Sequence, residues 1–186
     1  SITFGNPGTQ NFGTTPTLTA TNSAGGGYPV SFTSSTTGVC TITSGGALTF
    51  VATGSCTINA NQSGDMSFLA APQVSQTFTI AAVVPGAPTM ATATAGDTQA
   101  SIAFTPPVFT GGVTITGYTV TSNPDGIIAA GAGSSIIVTG LTNGIAYTFT
   151  VTATNAAGTG AASGASNSIT PAATQTITFA APGAQN

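Results

Sequence analysis

Apolar and polar residues alternate one by one along most of the chain. Ile2 and Phe4, Val30 and Phe32, Leu48 and Phe50, and Phe78 and Ile80 each stand two apart, with Thr or Ser between them. A period of two places successive side chains on opposite faces of an extended strand, so these residues share one core. No stretch carries the longer period of a helix. Turn-forming residues interrupt the alternation about every ten residues, the spacing of an all-β sandwich. The pattern predicts strands near residues 1–4, 16–21, 29–34, 38–43, 47–52, 55–60 and 73–81.

The segment "AAVVPGAPT" (81–89) breaks the alternation with two prolines and a glycine, which predicts a short, stiff linker. A second set of strands is predicted near 100–105, 114–122, 135–139, 145–154 and 162–170. The clearest of them, "AYTFTVTATN", puts Tyr147, Phe149, Val151 and Ala153 on one face. The expected organisation is therefore two tandem β-sandwiches, 1–82 and 83–172. Residues 173–186 then form a linker and the first strand of a further repeat.

That last expectation comes from a repeat. Ile2, Thr3, Phe4, Pro7, Gly8, Gln10 and Asn11 recur as Ile177, Thr178, Phe179, Pro182, Gly183, Gln185 and Asn186, at a constant offset of 175 residues. No second copy lies between. The sequence reads as one period of a longer array plus the opening strand of the next, with Ile177 and Phe179 as the apolar pair of an inter-repeat strand. The strand's partner is a neighbouring copy, joined covalently in the array or as a separate chain that receives the donated strand.

Charge changes the picture more than any motif. The 186 residues hold no Lys, Arg or His, and only three acids: Asp65, Asp97 and Asp125. Charged residues make up 2% of the chain, against about a quarter in ordinary globular proteins. Without cations the chain has nothing to set against phosphate, so nucleic acid is not an expected partner, nor is an anionic membrane surface. No apolar run approaches the length of a bilayer span, so membrane insertion is not expected. The sequence reads as a mature segment or fragment of a secreted protein, extracellular or at the cell surface.

Candidate chemistry is sparse. Cys40 and Cys56 sit in near-identical frames, "GVCTI" and "GSCTI", each on a core-facing position. An even count in a secreted sandwich predicts a disulfide between them, with a redox pair and a metal site as the alternatives. Two thiolates without His do not complete a tetrahedral zinc shell, and they lack the close spacing of a redox pair. The three Asp fall in separate turns, where carboxylates usually accept from nearby backbone amides rather than gather around calcium. Ser and Thr hydroxyls have no His, Lys or Glu to activate them, so no enzyme and no cofactor are expected. Asn61-Gln62-Ser63 matches a glycosylation acceptor.

Two family resemblances follow from longer stretches. "PGAPT", "ASIAFTPP", "ITGYTVTSNP" and "VTGLTNGIAYTFTVTATNAAGTGAAS" resemble a fibronectin type III module across most of 85–171. Leu141 and Tyr147 fall where that family has its leucine and the tyrosine of a tyrosine corner. Phe104 stands where the family usually has Trp. "PVSFTSSTTGVCTITSGGALTFVATGSCTINANQSG" and "AAPQVSQTFTI" resemble the bacterial immunoglobulin-like modules of large repetitive surface proteins. Together the resemblances imply a structural repeat unit of an extracellular fibre, stalk or sheath. The competing readings are an adhesin or carbohydrate-binding module, taking glycans or host-surface ligands, and a spacer in a secreted enzyme. Tyr28 and Phe109 are the aromatics that a binding module would expose.

The composition also yields a prediction. Only groups that titrate differently in folded and unfolded chains couple stability to pH, and no His, Lys or Glu side chain is present to do so. Carboxyl and phenol side chains titrate as a rule near 4 and 10. Thermal melts between about pH 5 and 9 should therefore agree within a few degrees. A shift of ten degrees or more across that range contradicts the expectation.

Overall fold

Every regular element among the described residues is a strand. The computed structural model describes residues 1–23, 28–64, 66, 68–175 and 177. The described residues divide into two compact units, one within 1–86, 108–116 and 154–159, the other within 87–107, 117–153 and from 160 onward.

The first eight strands are β1 (Ile2–Thr3), β2 (Gln10–Asn11), β3 (Thr21–Asn22), β4 (Ser31–Ser34), β5 (Cys40–Ile42), β6 (Leu48–Phe50), β7 (Gly54–Gln62) and β8 (Ala71–Ala81). One sheet runs β2-β8-β7-β4, with β2 parallel to β8 and the other pairs antiparallel. Its register sets Cys56 beside Phe78 and Phe32 beside Ala60. The β1–β3 and β5–β6 pairs make the rest of the sandwich, and a bridge from Thr17 to Ala47 ties the segment before β3 to the start of β6. The stretch 16–21, expected as a strand, is thus a single bridge followed by a two-residue pairing.

The core between these layers is built from the alternating set. Ile2, Phe4, Leu18, Phe32, Leu48, Ile58, Phe78 and Ile80 are buried, and Val30, Ile42 and Phe50 pack half-buried against them. Phe4 meets Phe32 edge-on, with ring centroids 5.5 Å apart. Cys40 on β5 and Cys56 on β7 are fully buried and disulfide-bonded, with their Cα atoms 5.8 Å apart. The bond joins two strands that belong to different sheets.

The later strands are β9 (Thr89–Ala95), β10 (Gln99–Thr105), β11 (Ile115–Asn123), β12 (Ile128–Gly131), β13 (Ser135–Thr139), β14 (Thr148–Asn155) and β15 (Gly158–Thr159). They form a three-stranded sheet, β13-β10-β9, and a four-stranded sheet, β12-β11-β14-β15. Ile102, Val120, Val138, Tyr147, Phe149, Val151 and Ala153 are wholly enclosed. Phe104 is buried against Tyr118, with ring centroids 4.8 Å apart, so two smaller rings fill this part of the core.

Four strands, β2, β9, β12 and β15, were not expected from the pattern, and one expected strand, 162–170, is not a regular ladder. There the backbone N–H groups of Gly160, Ser163, Ser166 and Ile169 donate to the carbonyls of Ala153, Val151, Phe149 and Tyr147. The donors advance by three residues while the acceptors retreat by two. Each step therefore carries one extra residue, a repeated bulge that keeps the segment hydrogen-bonded without strand geometry.

The linker is also more tied than its composition suggests. Val83 N donates to Gly111 O at 3.0 Å, Gly86 N donates to Phe109 O at 2.9 Å, and Pro88 is fully buried. Gly111 has φ +78°, and a Cβ there would lie 1.9 Å from the Val83 carbonyl oxygen, so only glycine allows the contact.

Both cysteines lie in the first unit, so reduction should act there. Opening a loop of separation 16 removes roughly 3 kcal/mol in the chain-entropy account. Segment-resolved hydrogen exchange of the intact chain should show faster exchange in β4–β8 after reduction and unchanged exchange in β10–β14. Equal loss in both regions would overturn this.

Candidate functional site

The side chains that could do structural or interactive work fall into four groups. The first surrounds Tyr147. Its ring is fully buried and stacks on Phe149 at 6.4 Å. Its hydroxyl accepts from Thr142 N at 3.2 Å and donates to Asp125 Oδ2 at 2.7 Å. Asp125 has φ +72° in the turn before β12. A second acid is held alike: Asp97 Oδ1 accepts from Asn143 Nδ2 at 2.7 Å, while Asn143 Oδ1 accepts from Thr98 N at 3.0 Å. Each of these two carboxylates thus accepts from a side chain distant in sequence. Asp65 lies outside the described residues. Among the described residues no three His, Cys, Asp or Glu side chains gather closely enough to hold a metal.

The second group covers the outer face of β4, β7 and β8. Asn59 Nδ2 donates to Ser35 Oγ at 2.7 Å, and Ser75 Oγ donates to Asn59 Oδ1 at 2.7 Å. One step along, Gln73 Nε2 donates to Asn61 Oδ1 at 2.6 Å, and Asn61 Nδ2 reaches Thr33 Oγ1 at 3.3 Å. Thr57 and Thr77 share a hydroxyl bond of 2.8 Å. Asn61, the glycosylation candidate, therefore sits inside a strand with its amide engaged on both sides.

The third group is aromatic and apolar. Tyr28 is half-buried and meets Phe68 edge-on at 5.0 Å. Phe109 is 41% exposed and stacks on Phe12, which lies in the same compact unit, at 6.2 Å. Ile177 is exposed, and its companion Phe179 lies outside the described residues. No helix among the described residues is long and apolar enough to cross a membrane.

Sequence reasoning missed the fourth group, buried polar residues that stitch the later strands. Ser163 Oγ and Ser166 Oγ accept from Val151 N and Phe149 N, each at 3.0 Å. Asn155 Nδ2 donates to the carbonyls of Val83 and Thr110 at 2.8 Å, while its Oδ1 accepts from Ala157 N and Gly158 N. Asn167 binds both backbone groups of Ala93: Ala93 N donates to its Oδ1 at 2.8 Å, and its Nδ2 donates to Ala93 O at 2.9 Å. The available signal was the spacing of three between Ser163 and Ser166, where a plain strand would repeat every two.

Residues 86–169 match the fibronectin type III domain. The type III match takes in β9 to β15, Asn155, Asn167 and both inward serines. No curated protein matches the chain. Solved structures with some likeness include titin kinase and its flanking domains, at 23% identity and a TM-score of 0.44, covering 48% of this chain and 18% of that one. Domains A168–A170 of titin cover 91% of this chain and 65% of that one, at 14% identity and a TM-score of 0.49. The twitchin kinase region from C. elegans covers 47% and 17%, at 22% identity and a TM-score of 0.44. The chain thus spans 17–65% of the length of these structures.

Tyr147→Phe should keep the fold of the later strands and lower its stability. The ring remains, but Thr142 N and the Asp125 carboxylate each lose a partner, a cost of about 1–2 kcal/mol. Chemical denaturation followed in β14 measures it; an unchanged midpoint would show that the hydroxyl contributes nothing.

Proposed function

We propose that this chain is a non-catalytic repeat unit of an extracellular fibre, stalk or sheath, in which copies follow one another head to tail. Fibronectin type III domains serve as structural or spacer modules in multidomain proteins, and residues 86–169 form one. The observation that carries the finer reading is the recurrence of the opening motif after 175 residues.

In the first unit that motif has a defined slot. Ile2 and Phe4 are buried, Gln76 Nε2 donates to Phe4 O, and Asn6 Nδ2 donates to Thr77 O. β1 pairs with β3, and β2 pairs with β8. One unit has one such slot, and residues 1–11 fill it. The recurring motif at 177–186 suits the same slot in another copy, reached along a continuous polypeptide or by strand donation. The neutral surface supports close packing, since copies with a formal charge of −3 repel little. The buried disulfide suits an oxidising, extracellular setting.

Denaturing mass measurement of the native material, together with electron microscopy, tests this. A periodic filament is expected. A very long polypeptide identifies a covalent array, and subunits near the 17.8 kDa of one chain identify strand donation. Discrete monomers with no neighbour would end the proposal.

A further inference from the structure

The two edges of the β13-β10-β9 sheet are treated differently. In antiparallel sheets alternate residues direct their N–H and C=O groups to opposite sides. Phe104 N donates to Ser134 O at 3.0 Å, which fixes the phase of β13. Ser134, Ile136 and Val138 address β10, while Ser135, Ile137 and Thr139 address the outside. The burial pattern has the same alternation: Ile136 and Val138 are buried, and Ser135, Ile137 and Thr139 are exposed.

On the opposite edge, the outward backbone groups of Ala93 in β9 are both taken by the Asn167 amide. That side chain does what a further strand would do at Ala93, the middle of that edge. Among the described residues nothing pairs with the outward groups of Ser135, Ile137 and Thr139. Exposed edges are ordinarily guarded by charge, proline or a covering segment. Here β9, β10 and β13 contain no charged residue and no proline, and Ile137 is 58% exposed.

We infer that β13 is a pairing edge for β13 of a second copy of this chain. The sequence Ser135-Ile136-Ile137-Val138-Thr139 is self-complementary when paired antiparallel about Ile137. Ser135 then faces Thr139 of the second copy, Ile137 faces its own counterpart, and each Ile137 exchanges two backbone bonds in a closed two-fold contact. The absence of charge selects the occupant. A charged strand would meet no countercharge on this sheet, whereas a second β13 brings none. This contact is lateral, independent of the head-to-tail reading, and survives if that reading fails. A five-residue edge lies below the roughly 1,000 Å² of a stable interface. Pairing is therefore weak for one repeat and multiplied wherever several are joined.

The test is association of the 186-residue chain with itself, followed by sedimentation and by amide exchange from about 0.05 to 1 mM. The expected result is a mass rising towards a dimer, with protection growing at the amides of Ser135, Ile137 and Thr139. Ile137→Lys should weaken association at least about tenfold. Ile137→Thr, which keeps an uncharged branched residue, should stay within about threefold and shows that a substitution here leaves the fold intact. Ile128→Lys, on the edge strand β12 of the other sheet, should change nothing. A chain that stays monomeric at about 1 mM overturns the inference. So does dissociation by Ile128→Lys but not by Ile137→Lys.

Discussion

Neutral hydrogen bonding carries nearly all the polar organisation of this protein. With no Lys, Arg or His and three Asp, it has almost no ion pairs with which to fix turns, close edges or solvate a face. Hydroxyls and amides take over each task. Asn167 closes β9, Asn155 holds the linker carbonyl of Val83, and Ser163 and Ser166 complete the β14 ladder. No buried side-chain nitrogen or oxygen among the described residues is left unpartnered. That completeness matters, because an unsatisfied buried polar group costs about 1–3 kcal/mol, a large share of a small domain's stability.

The two β regions anchor themselves by different chemistry. In the first, a covalent bond runs from β5 to β7, between strands of different sheets. The second has no cysteine and relies on a phenol whose ring is core and whose hydroxyl is a turn clamp. Tyr147 joins Thr142 to Asp125, one residue on each side of the hydroxyl. A tyrosine serves here because its large apolar body lies in the core and only the tip is polar. Phe104 and Tyr118, packed together, occupy core where the type III resemblance led one to expect a tryptophan.

The sequence was legible where apolar and polar residues differ strongly. The sets Ile2/Phe4, Phe78/Ile80 and Tyr147/Phe149/Val151/Ala153 announce their strands because a large apolar residue recurs every second position. It was illegible where that contrast fades. In β9, "TMATATA", the alternation is between Thr and Ala, which differ little in hydropathy, and the strand follows a proline-rich stretch. β12, "IAAG", is short and sits at an edge, with little to bury. The 160–169 segment failed for another reason: its hydrogen bonds advance three residues at a time, so no period-two signal exists to be read. The partners of Asp97 and Asp125 lie 46 and 22 residues away, beyond any local turn rule.

The same neutrality makes edge control the decisive problem of this fold. A charged sheet edge repels its own copy, whereas a neutral edge has to be protected by other means, such as capping of its backbone groups or shortness. β9 is occupied at Ala93 by Asn167, and β1, β2 and β15 are short ladders of two residues each. A two-residue edge offers a visiting strand too few bonds to offset the entropy of ordering it. β13 is longer, exposes Ile137 at its centre, and has neither an amide cap nor a charge. For a solitary protein that would be a hazard. If copies stood side by side, as proposed, it would be a directional contact that needs no further side-chain chemistry, because the backbone supplies the specificity through register.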